Sequence, residues 1–237
     1  MALIYFIPGT MCNRALWSFL WPKIASHHQL VHLSIIDHGT MAEVVDDLVA
    51  KIELSSDGKC FNLIGFSLGG YLATAVSLRF SSQLARLMIL SNTPKVLPDE
   101  ELAQRKLTIQ TVVKYSYTGL KSSRIVSLLD KNQHSNQELI RLIQAMALSF
   151  NEKILLHHLG ALSKRVDLCS IVATEPRPTW FCFGDSDTLV DRNALQEMQT
   201  SSRHIQLHKV LNCGHFLPLE QPTQAADLVK AWLQETV

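Results

Sequence analysis

The sequence predicts an α/β protein in which a parallel sheet is covered by helices on both faces and interrupted by one all-helical insertion. Three observations carry this. Short apolar runs alternate with stretches of helical period. The strand-like runs are apolar throughout, as strands buried on both faces are. From residue 99 to 170 the patterns are helical only, with no strand-like run between them.

Taken in order, "ALIYFIP" (2–8) reads as a buried strand ended by Pro8-Gly9. "LWSFLWPKIA" (16–25) has helical period, with Pro22 near its start or breaking it. "QLVHLSII" (29–36) reads as a strand. A helix follows, signalled by Thr40 and Glu43 as a capping box and by Met41, Val44, Val45, Leu48, Val49 and Ile52 at helical spacing. "CFNLIGF" (60–66), "GGYLATAVSLRF" (69–80) and "LARLMILSNT" (84–93) read as strand, helix and strand. The insertion contains "DEELAQRKLTIQTVVKYSY", "SSRIVSLLDK" (122–131), "NQELIRLIQAMALSF" and "EKILLHHLGALSK". It is long for a connection in a compact domain, and such insertions are usually functional. Strand "TWFCFGD" (179–185), helix "RNALQEMQTS", strand "HIQLHKVL" (204–211) and helix "PTQAADLVKAWLQE" (222–235) complete the chain, with Pro222 in the first turn of the last helix.

A chain of 237 residues is one domain of ordinary size, here with 47% apolar and 18% charged residues and a net charge of +1. Charges of both signs are scattered, so nothing marks a nucleic-acid or anionic-lipid surface. No apolar run approaches the roughly 20 residues of a membrane span. The N-terminus reads as a strand and not as a signal peptide. Cys12, Cys60, Cys169, Cys182 and Cys213 form no C-x-x-C pair. They are expected to be buried free thiols in a reducing, cytoplasmic compartment. The pairs His27-His28 and His157-His158 are neighbours that point apart, which makes poor metal clamps, and no metal site is expected.

Gly65-Phe66-Ser67-Leu68-Gly69 matches G-x-S-x-G where a strand ends and a helix begins, the setting that pattern requires. A sharp strand-to-helix turn strains its central residue and leaves no room for side chains two positions away. It lifts the serine oxygen above the carboxyl edge of the sheet, where open α/β sheets bind ligands. No G-x-G-x-x-G and no P-loop lysine is present.

A nucleophilic serine needs a base, and the base needs an orienting acid. His215 follows the last strand and so lies at the same edge as Ser67. "FGDSDTLVD" supplies Asp185, Asp187 and Asp191 at the preceding strand end. Asp191 suits the cap of the helix that starts at Arg192. Spacing alone leaves Asp185 and Asp187 both open. An oxyanion hole needs two backbone N–H donors. Leu68, directly after the serine, and Thr10, in the loop after the first strand, are the candidates, with Met11 next; Pro8 has no N–H to give.

The order of these residues, and three local patterns, resemble the α/β-hydrolase fold superfamily. "GFSLGG" resembles its nucleophile elbow, "GDSDTLV" its G-x-x-D-x-x-V acid loop, and "GHFLPLEQP" its G-H-F-x-x-x-E-x-P histidine loop. The resemblance implies a catalytic Ser67, Asp187 and His215, with Asp185 as runner-up for the acid. It covers essentially the whole chain: residues 1–98 and 171–237 as the core and 99–170 as a helical cap. It implies a mostly parallel sheet of about six strands. One departure is Pro8-Gly9 where the family usually has His-Gly.

Size and cap are similar to carboxylesterases of the pimeloyl-carrier-protein methyl ester esterase type. A serine at 67 argues against haloalkane dehalogenases, and the insertion lacks the acidic cluster expected of an aminopeptidase. The implied chemistry is hydrolysis of a small, largely apolar ester or thioester through an acyl-enzyme, with no cofactor. Met11, Met146 and Phe150 are expected to line the substrate pocket. The same residues also serve C–C bond hydrolysis, lactone opening or a lyase step, and folds of this kind also act as low-turnover small-molecule sensors.

Overall fold

A computed structural model describes residues 1–235. Its sheet has six strands: β1 (Ala2–Ile7), β2 (His28–His32), β3 (Phe61–Phe66), β4 (Leu84–Leu90), β5 (Thr179–Gly184) and β6 (Ile205–Val210). They run in the order β2-β1-β3-β4-β5-β6, and every pairing is parallel. The longer helices are α1 (Met41–Ser56), α2 (Leu68–Ser77), α3 (Asp99–Tyr115), α5 (Gln137–Leu148), α8 (Arg192–Ser201) and α10 (Pro222–Gln234). Between them lie α4 (Ser122–Val126), α6 (Glu152–Leu159), α7 (Cys169–Thr174) and α9 (Leu217–Glu220).

The strands bury alternate residues against two separate layers, because successive side chains leave opposite faces of a pleated strand. Ile4, Phe6, Ile64, Phe66, Met88 and Leu90 face a layer supplied by Leu16, Trp17, Leu20 and Ile24, by α5, and by Ala226, Val229 and Trp232 of α10. Tyr5, Ile7, Leu63, Leu87, Ile89 and Phe181 face the other, supplied by α1, α2, α7 and α8. Each large side chain so buried contributes about 1.5–3 kcal/mol. The capping box of α1 is present: Thr40 Oγ1 accepts from the Glu43 N–H at 3.3 Å and Glu43 Oε2 accepts from the Thr40 N–H at 2.7 Å. Asp191 caps α8 by accepting from the Ala194 N–H, and Pro222 opens α10.

Four expectations are corrected. Residues 16–25 are not one helix but lie across short 3-10 turns, Arg14–Trp17, Trp21–Lys23 and Ala25–His27. Pro22 has no N–H to donate to the preceding turn, so the helix cannot pass through it. Leu16, Trp17, Leu20 and Ile24 are buried all the same. The second strand stops at His32. The helix expected over 122–131 ends at Val126; beyond it the Leu128 carbonyl accepts from the His215 N–H and the Asp130 N–H donates to Glu220. Cys60 is exposed, whereas Cys12, Cys182 and Cys213 are buried free thiols.

β1 has β2 on one side and β3 on the other, so the connections leaving β1 and β3 diverge. Open α/β sheets form their ligand crevice at such a point, outside the carboxyl ends of the strands. Ser67 follows β3, the loop 8–12 follows β1, Asp187 follows β5 and His215 follows β6.

Candidate active site

Ser67 sits between β3 and α2 with φ 51° and ψ −119°. A non-glycine residue held there costs on the order of 1–3 kcal/mol and persists only where its surroundings impose it. They do so by close approach. A Cβ placed on Gly65 would overlap the Gly69 carbonyl and lie 2.6 Å from the Ala73 Cβ. One placed on Gly69 would overlap the carbonyls of Ile7 and Pro8, so the loop after β1 is packed directly on the turn. The Ser67 N–H still donates to the Leu90 carbonyl at 2.9 Å, which carries the sheet ladder up to the turn.

Ser67 is the N-cap of α2, yet its side chain makes no capping hydrogen bond. Serine is favoured at that position because its oxygen usually accepts from the first turn. Here the oxygen is used elsewhere: Ser67 Oγ lies 3.0 Å from His215 Nε2. His215 Nδ1 lies 2.9 Å from Asp187 Oδ2. A carboxylate only accepts, so Nδ1 carries the proton, and the Nε2 lone pair faces the serine hydroxyl. Asp187 is 2% and His215 6% exposed, so the bond between them is sheltered from water. The second oxygen of Asp187 accepts from the Leu189 N–H at 2.9 Å. Asp185 is engaged otherwise, accepting from the Cys213 N–H at 3.1 Å. Of the two aspartates that spacing left open, the histidine bonds Asp187.

The histidine loop is held by further groups around it. Glu220 Oε2 accepts from the N–H groups of Asp130 at 2.7 Å and Gly214 at 3.0 Å, and Oε1 from that of Phe216 at 2.9 Å. The two residues flanking His215 are thus clamped by one carboxylate that is 5% exposed. Burial pushes the Glu220 pKa up, against the pull of these donors. The His215 N–H donates to the Leu128 carbonyl at 2.7 Å, which ties the loop to the helical insertion. The glutamate of "GHFLPLEQP" was a signal for the clamp; nothing in the sequence pointed to Leu128 or Asp130.

Of the oxyanion candidates, the Thr10 and Leu68 N–H groups have no protein acceptor among the described residues. The Met11 N–H donates to His158 Nδ1 at 3.3 Å. Among the pocket candidates, Met11 and Phe150 share a small apolar cluster with Val112, Ala147 and Leu155. Met146 is 3% exposed and lies in the larger layer with Phe66 and Phe216. Among the described residues no group of His, Cys, Asp and Glu side chains is placed to hold a metal.

A parallel sheet in this order, with serine, histidine and aspartate joined at its carboxyl edge, defines an α/β hydrolase. The chain belongs to the alpha/beta hydrolase fold family, whose model matches residues 17–222. It is 22% identical to the cis-3-alkyl-4-alkyloxetan-2-one decarboxylase of Shewanella oneidensis, over 93% of this chain and 79% of that one. It is 23% identical to the monoacylglycerol lipase ABHD6 of Mus musculus, over 97% and 75%. The fold superposes on a thermophilic esterase from Thermogutta terrifontis with a TM-score of 0.88 at 20% identity, covering 99% of this chain and 90% of that one. It superposes on the enol-lactonase from Burkholderia xenovorans with a TM-score of 0.84 at 13% identity, covering 99% and 92%. No helix among the described residues is long and apolar enough to cross a membrane.

Proposed function

We propose that this protein is a serine hydrolase that cleaves a carboxylic ester or thioester of a small, largely apolar substrate through an acyl-enzyme. The observation that carries this is the unbroken chain Ser67 Oγ, His215 Nε2, His215 Nδ1, Asp187, ending on a serine held at φ 51°. His215 takes the Ser67 proton as Oγ attacks the carbonyl carbon. The oxyanion forms against the Thr10 and Leu68 N–H groups, which are unengaged and so free to donate. His215 returns its proton to the leaving alcohol or thiol, and water repeats the sequence to release the acid. Asp187 holds the imidazole in the required tautomer and stabilises its positive charge. No cofactor enters these steps.

Residues 99–170 act as the cap over Ser67, and their contact with the site supports this: Leu128 and Asp130 bond directly to the His215 loop and to Glu220. Met11, Met146 and Phe150 line the acyl side of the pocket. Their grouping with Val112, Ala147 and Leu155 in one cluster, and with Phe66 and Phe216 in the other, favours an apolar acyl chain. Lactone opening is a second reading, supported by the oxetan-2-one and enol-lactone chemistry named for two of the relatives.

The test is stopped-flow hydrolysis of short p-nitrophenyl esters and a matched series of lactones. A burst of nitrophenol equal to the enzyme, lost in Ser67→Ala, is expected. Turnover of lactones alone would move the assignment to the second reading. Undiminished hydrolysis by Ser67→Ala would refute both.

A further inference from the structure

The adjacent histidines of α6 are unused by the chemistry above, and both are tied to loops at the carboxyl edge. His157 Nε2 lies 2.8 Å from the Gly39 carbonyl, in the connection after β2. His158 Nδ1 accepts from the Met11 N–H in the loop after β1. That loop is a tight turn closed by the Cys12 N–H on the Gly9 carbonyl at 3.1 Å. Met11 is its third residue and has φ 55°, the left-handed region where such turns usually place glycine or asparagine. Nothing intrinsic to methionine favours that backbone, so a partner has to hold it. The central peptide, Thr10 to Met11, is the unit that the common turn types orient in opposite directions. An acceptor on the Met11 N–H selects one orientation of that peptide and anchors the loop; the Thr10 N–H belongs to the preceding peptide, Gly9 to Thr10, and is held in place because the loop is.

We propose that His158 is a positioning residue for the oxyanion hole: by accepting from the Met11 N–H it fixes the turn that presents the Thr10 N–H to Ser67. The proposal rests on Ser67 acting as the nucleophile. The turn lies against that serine, since a Cβ placed on Gly9 would be 3.1 Å from the Ser67 Cβ. His158 is 2% exposed, and its other ring nitrogen, Nε2, is buried without a partner among the described residues. The bond to Met11 is therefore what orients the ring. Nδ1 accepts only while the imidazole is neutral, and burial, with His157 and Arg105 nearby, holds the His158 pKa down at about 4. The loop departs from the family pattern at Pro8, and its hold comes from the insertion, 147 residues further along the chain.

The experiment compares His158→Leu, His158→Gln and His158→Asn with wild type. In asparagine the side-chain oxygen occupies nearly the place of Nδ1 and can accept from Met11; in glutamine it lies too far out, and leucine has none. Three readouts are taken: kcat and KM on a p-nitrophenyl ester, thermal stability, and affinity for an alkyl boronic acid that mimics the tetrahedral intermediate. One oxyanion donor is worth roughly 100- to 1,000-fold in kcat, so a displaced one should cost about 10- to 100-fold in His158→Leu and His158→Gln. KM should change by less than about threefold, and boronate affinity should fall in step with kcat/KM. His158→Asn should recover to within about threefold of wild type. If leucine prevents folding, glutamine against asparagine makes the same comparison. Equal kcat in the folded variants and wild type, a loss confined to KM, or no rescue by asparagine would overturn the proposal and leave the nucleophile assignment standing. Wild-type protein that forms no Ser67 acyl-enzyme would overturn the nucleophile assignment, and this proposal with it.

Discussion

Glu220→Gln should lower stability and turnover together. The carboxylate accepts from three backbone N–H groups, two on Oε2 and one on Oε1. Glutamine has one acceptor oxygen. If that oxygen keeps the Asp130 and Gly214 donors, the amide NH2 is turned toward the Phe216 N–H, and one buried donor loses its partner. That costs about 1–3 kcal/mol, and the two retained bonds weaken as the charge is lost. Removing a buried charge offsets part of this, since burial already raises the Glu220 pKa. The net loss is about 2 kcal/mol, or a fall of roughly 4–8 °C in Tm for a domain of this size. Because the freed donor belongs to the residue after His215, kcat should fall about tenfold with KM nearly unchanged. Calorimetry and steady-state kinetics on the ester substrate measure both. A variant with wild-type Tm and kcat would refute the clamp; a lower Tm with wild-type kcat would show that it supports the fold without positioning His215.

Asp187→Asn should reduce kcat by roughly 1,000-fold or more, because the amide cannot hold the required imidazole tautomer. Asp185→Asn, whose side chain accepts from the Cys213 N–H and does not meet His215, should lose less than about tenfold; a larger loss at 185 than at 187 would reverse the assignment. Gly65→Ala forces a Cβ onto the Gly69 carbonyl and should destabilise by about 1–3 kcal/mol in chemical denaturation; wild-type stability would contradict the close approach. Burial, with His157 and Arg105 nearby, holds the folded His158 pKa down at about 4, below the ordinary imidazole value of 6.5. Its contribution is present above pH 6.5 and is lost as the pH falls through about 4, because the unfolded chain binds the proton first. Urea midpoints should therefore drop across that window by the equivalent of about 3 kcal/mol, and the drop should shrink in His158→Asn.

The core of the fold was legible because a doubly covered parallel sheet writes itself as continuous apolar runs, and β3, at 61–66, is buried at every position. The site was legible for a related reason: each candidate stands just past a strand end, and parallel strands put those ends on one edge. Residues 16–25 misled because burial and helicity share a period. Leu16, Trp17, Leu20 and Ile24 do face the core, but Pro22 turns the segment into 3-10 pieces. The stretch after Val126 continues a helical pattern in the sequence, yet Leu128 gives its carbonyl to His215 instead. Pairings of that kind, like His158 with Met11 or Glu220 with Asp130, join residues far apart in the chain and leave no local pattern.

Intact-mass measurement after treatment with a fluorophosphonate tests the central claim most directly. One phosphonyl adduct on the wild type, mapped to the peptide containing Ser67 and absent from Ser67→Ala, is the expected result. An unmodified wild type, or an undiminished adduct on Ser67→Ala, would contradict it.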